Sequence, residues 1–72
     1  MNEEWAAQVV GRLFRIEQSH KTFAARCGYS PEYFSMLLNG KKHFESEYAK
    51  RQTVKRIIKV LEEAEREAFN AR

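Results

Sequence analysis

HKTFAARCGYSPEYFSMLLNG, residues 20–40, is the stretch whose reading decides the fold. Ser19-His20 offers a helix cap, and a short helix follows from His20 to Cys27 with Phe23, Ala24 and Cys27 on one face. Ala24 is small where two short helices must cross closely. Gly28 suits a left-handed residue at a helix end, a conformation that strains any residue with a side chain. Ser30-Pro31-Glu32 then restarts a helix, with Ser as cap, Pro at the first helical position and Glu in the first turn. Phe34, Leu37 and Leu38 give this next helix an inward side, while Tyr33, Ser35 and Met36 face other directions. Asn39-Gly40 stops it. The pattern is a helix, a tight turn at Gly28-Tyr29-Ser30, and a second helix.

The flanking segments read as packing for this unit. From Asn2 to about Ser19 the spacing predicts an amphipathic helix, capped by Asn2, with Glu3 and Glu4 at the positive end of its dipole. Trp5, Val9, Leu13 and Ile16 recur every three or four residues, with Ala6, Val10 and Phe14 beside them, and this broad stripe demands a core. Arg12 and Arg15 are expected in solvent. Gly11 either admits a close neighbour or is simply tolerated, at about 1 kcal/mol relative to Ala. After a short basic loop, Lys41 to Phe44, Ser46 caps a long helix expected over Ser46 to Phe69. Val54, Ile57, Leu61, Ala64 and Ala68 form its stripe, and Lys59–Glu63 and Glu62–Arg66 are spaced for pairing within it. Such a helix spans roughly 36 Å, more than a tiny domain needs. Leu61, Ala64, Ala68 and Phe69 are therefore candidates for a homodimer contact, the alternative being a solvated tail. The expectation is one all-α domain, residues 1–72, of four helices.

Composition bounds the function classes. Seventy-two residues, 43% of them hydrophobic, make a single small globular domain. One Cys excludes an intrachain disulfide framework and fits a reducing cytosol. No apolar run approaches the roughly 18 residues of a membrane span, and the acidic N-terminus does not resemble a signal peptide, so a cytoplasmic location is expected. The net charge of +3 is unevenly spread. Residues 41–59 hold Lys41, Lys42, Lys50, Arg51, Lys55, Arg56 and Lys59 against Glu45 and Glu47, whereas residues 62–67 hold four Glu and one Arg. A basic band beside the second short helix suits a phosphate footprint or, more blandly, a solvated face.

Phe23-Ala24, Gly28, Ser30, Phe34-Ser35, Leu37 and Asn39-Gly40-Lys41 resemble, in register, the helix-turn-helix of the lambda-repressor and Cro-like proteins, the Xre family. The resemblance covers Trp5 to about Lys42. The whole chain is also similar to very short phage- and mobile-element-encoded members from Gram-positive bacteria. The resemblance implies a compact four-helix domain whose second short helix lies in the DNA major groove, and a repressor acting as a homodimer on double-stranded DNA. The outer face of that helix then supplies the base readers, by position Pro31, Glu32, Tyr33, Ser35 and Met36. Glu32 can accept from a cytosine amine, Tyr33 and Met36 can touch a thymine methyl, and Ser35 can serve base or phosphate. Proline cannot hydrogen-bond a base edge, so readout shifts to Glu32, Tyr33 and Ser35. Phosphate contacts are expected from His20, Ser30, Asn39, Lys41 and Lys42, joined by Lys50 and Arg51.

A rival reading uses the same scaffold for protein binding, as an antirepressor, an anti-CRISPR-type inhibitor or an antitoxin-like regulator. Its basis is that no Arg or Lys lies between Pro31 and Asn39, while Tyr33 and Met36 suit a protein interface. Enzymatic chemistry finds no foothold: there is no glycine-rich phosphate loop, nucleophile elbow or carboxylate dyad. His20, Cys27 and His43 lack metal-ligand spacing, Cys27 is expected as a buried inert thiol, and Trp5 as a core or rim anchor. No cofactor, small-molecule ligand or membrane contact is expected.

Overall fold

The computed structural model describes residues 3–70. They form four helices: α1 (Glu4–Arg15), α2 (His20–Cys27), α3 (Pro31–Leu38) and α4 (Glu47–Asn70). The expected cap Asn2 lies outside the described residues. No helix among them is long and apolar enough to cross a membrane.

Three of the four predicted caps form, whereas at the start of α1 the cap position is Glu3, whose side chain makes no capping bond. Ser19, Ser30 and Ser46 each accept a hydrogen bond at 3.1 Å, from the backbone N–H of Thr22, Tyr33 and Ala49 respectively. The first three helices end alike. In each, one residue turns left-handed and the chain closes back through two backbone bonds, the Schellman pattern. Gly28 (φ 84°) and Gly40 (φ 70°) take this position after α2 and α3. After α1 it falls to Glu17 (φ 57°), with Glu17 N–H bonded to the Phe14 carbonyl and Gln18 N–H to that of Leu13. That corrects the expected α1 end at Ser19. A glutamate gives no turn signal, so the stop was not legible.

The core joins Ala6, Val9 and Leu13 of α1, Phe23, Ala24 and Cys27 of α2, Phe34, Leu37 and Leu38 of α3, and Ile57, Leu61 and Ala64 of α4. The Phe23 and Phe34 rings meet at 5.6 Å between centroids and fix the packing of α2 on α3. Trp5, Val10, Ile16, Tyr29 and Phe44 pack against this core, half-buried. Phe14 does not: it is 85% exposed, one residue and about 100° of helix past the buried Leu13. Gly11 faces open space, with nothing within 4 Å of where a Cβ would stand, so no neighbour within the chain requires it.

α1 and α4 run in parallel, as two ion pairs reveal. Glu3 meets Lys50, and farther along Arg12 grips Glu65 with its Nε donating at 2.9 Å and its Nη2 to the other carboxylate oxygen. Arg26 of α2 holds Glu67 through two bonds of 2.9 and 2.7 Å. These bidentate pairs correct three expectations. Arg12 is not a solvated side chain. The last turns of α4 are fastened to α1 and α2 rather than surplus. Neither Lys59–Glu63 nor Glu62–Arg66 closes into an ion pair among the described residues, which pair as Arg12–Glu65, Arg26–Glu67 and Glu3–Lys50.

Candidate nucleic-acid interface

α3 owes its position to its inner residues, and what remains faces out. Glu32, Ser35, Met36 and Asn39 are exposed and spaced three, four and seven residues apart, so they form one stripe. Pro31 and Ser30 are exposed at its start. Ser30 accepts the Tyr33 N–H, and its hydroxyl proton stays available to a phosphate. Asn39 donates to Ser35 Oγ at 3.3 Å, which leaves its second amide proton and its carbonyl facing outward.

Two surface hollows connect the other candidates. One, of about 320 Å³, lies between α1, α2 and α3 and is lined by Val10, His20, Pro31, Phe34, Ser35, Leu38 and Asn39. His20 is held there edge-on to Phe34, at 6.1 Å between ring centroids. The second is lined by Glu3, Leu37, Asn39, Gly40, Lys42, Phe44 and Lys50. Asn39 belongs to both. The fold thus brings His20, Pro31, Ser35, Asn39, Lys42 and Lys50, drawn from three helices and a loop, onto one continuous surface. Lys41 is exposed in the loop at its edge. Arg51 is exposed on α4 and lines neither hollow.

Four candidates need correction. Tyr33 is half-buried, not a free reader: its ring packs at 5.1 Å from Tyr29, and the Lys42 ammonium sits over it at 5.7 Å. Lys50 is half-buried and paired with Glu3. That hydrogen bond raises the Lys50 pKa and, together with one from the Trp5 indole N–H at 2.9 Å, lowers that of Glu3. Leu61 and Ala64, offered as dimer residues, are buried inside their own protomer, because α1 and α2 cover that side of α4. Of that set only half-buried Ala68 and exposed Phe69 stay accessible, beside a hollow of about 210 Å³ shared with Arg15, Ile16 and Glu65.

Sequence reasoning passed over two residues. Lys21 is exposed in the first turn of α2, next to His20, where its charge was the available signal. Arg56, counted only in the basic band, donates to the Cys27 carbonyl at 3.3 Å and lies over the Tyr29 ring at 5.9 Å, so it finishes the end of α2 rather than facing a ligand. Burial raises the pKa of both Cys27 and Tyr29. Among the described residues no group of three His, Cys, Asp or Glu side chains is placed to hold a metal. No protein-family model, curated protein or solved structure matches the chain.

Proposed function

We propose that this chain is a sequence-specific double-stranded DNA-binding protein, a cytoplasmic transcriptional repressor of the lambda-repressor and Cro-like type acting as a homodimer. The observation that carries this reading is the continuous surface on which His20, Ser35, Asn39 and Lys42 meet, with the exposed stripe of α3 along it. Such a surface fits a phosphate backbone at its ends and base edges between them. Glu32, Ser35 and Met36 are the base readers, and His20, Lys21, Asn39, Lys41 and Lys42 the phosphate contacts. Binding rather than catalysis is the proposed activity, and no cofactor takes part. Selection of sites from random duplex DNA tests it: the expected outcome is an enriched, two-fold symmetric sequence with half-sites about one helical turn apart. Recovery of no enriched sequence contradicts it.

A protein-binding module is the second reading. It is favoured by Met36, which is 43% exposed, and by the apolar lining Val10, Phe34 and Leu38 of the hollow between α1, α2 and α3, on a helix that carries no Arg or Lys. A chain that ignores duplex DNA at low salt belongs to this class.

A further inference from the structure

We propose that the homodimer forms through the outer face of α1, packed antiparallel against the same face of a second copy. This face is the one opposite Ala6, Val9 and Leu13, and nothing in the fold covers it. Along it Ala7, Gly11 and Phe14 are exposed at spacings of four and three residues, the repeat by which two helices keep contact. Phe14, at 85% exposure, is the most exposed large apolar side chain among the described residues. Gly11 stands midway with open space in front of it, so two helix backbones can approach there.

Charge selects the partner and its direction. Glu4 and Arg15 lie on this same face, three turns apart, and both are exposed. Glu4 enters none of the ion pairs Arg12–Glu65, Arg26–Glu67 and Lys50–Glu3, and Arg15, which lines the hollow beside Glu65 and helps to lower that carboxyl's pKa, closes no ion pair with it. A parallel second copy sets Glu4 against Glu4 and Arg15 against Arg15. An antiparallel copy sets each Glu4 against the other copy's Arg15, twice, and turns each Phe14 toward the small residues of its partner, the self-complementary arrangement a two-fold axis demands. The end of α4 lacks this pattern, since Glu62 and Glu63 stand exposed there around Phe69.

This assignment extends the homodimer of the proposed function. It is tested without DNA, so its failure leaves the DNA reading standing. The measurement is mass by sedimentation equilibrium across a concentration series, with helicity by circular dichroism confirming that each variant folds. The native chain is expected to shift from 8.5 kDa toward twice that mass. Phe14→Asp, Glu4→Arg and Arg15→Glu are each expected to weaken association about tenfold or more, and the double swap Glu4→Arg/Arg15→Glu to restore it. A native chain that stays monomeric, a dimer indifferent to Phe14→Asp, one abolished instead by Phe69→Asp, or a double swap no better than its singles overturns the proposal.

Discussion

A left-handed backbone fits glycine, and the chain places Gly28 and Gly40 in two of its three such positions but Glu17 in the third. Glu17→Gly should therefore stabilise the fold by about 1 kcal/mol, the steric penalty of the left-handed residue less the extra freedom of the unfolded chain. In a domain of this size that raises Tm by roughly 4–8 °C, which a thermal melt reads directly. The proposed function also divides by residue. Lys41 is an exposed charge in the loop after α3. Lys41→Ala should weaken binding to all duplex sequences alike and reduce the salt slope by about 1. Glu32 faces out from the first turn of α3, and Glu32→Ala should alter preference at one base pair in a gel-shift comparison of operator variants while leaving the salt slope unchanged.

At the scale of elements, α4 is held by side chains that local sequence patterns do not pair. Glu65 and Glu67 lie 53 and 41 residues from Arg12 and Arg26, beyond any helical spacing rule, so the acidic run reads as a solvated face until the fold brings the arginines over it. Helix caps, glycine stops and the apolar stripes were legible because each is a local requirement of backbone geometry or burial. The end of α1, the exposure of Phe14 and the half-burial of Tyr33 were not, since each depends on where a neighbouring helix lies. Hydrogen bonding to Arg12 and Arg26 holds the Glu65 and Glu67 carboxyls below their ordinary pKa of 4.5, and Lys50 does the same for Glu3. A carboxyl with a lower pKa folded than unfolded stabilises the fold fully above its unfolded value and loses that contribution as pH falls through the folded one. Stability is thus expected to be level near neutrality and to decline below about pH 4.5. Glu65→Gln should cost about 1 kcal/mol at pH 7 and flatten part of the acid decline, both readable from urea midpoints across pH.

For the molecule as a whole, the 24 residues of α4 account for most of its 41 Å length, α2 packs on it, and α3 packs on α2 and α1 so that it turns one stripe outward. The candidate surface is assembled from α2, α3, the following loop and α4, and only its α3 part could be located from spacing along the chain. Its basic charge lies at the edges, in Lys21, Lys41 and Lys42, whereas α3 itself contributes Glu32. Binding to DNA should therefore lean on phosphates at the ends of the surface and be strongly salt-dependent. Two copies each offering Lys21, Lys41 and Lys42 neutralise about six phosphates, so affinity should fall on the order of a thousandfold between 50 and 200 mM salt. Fluorescence anisotropy of a labelled random duplex at those two salt concentrations decides whether the chain binds DNA. Binding at the lower salt that is largely lost at the higher is the expected result, whereas a duplex left unbound at 50 mM salt rules out DNA as the ligand.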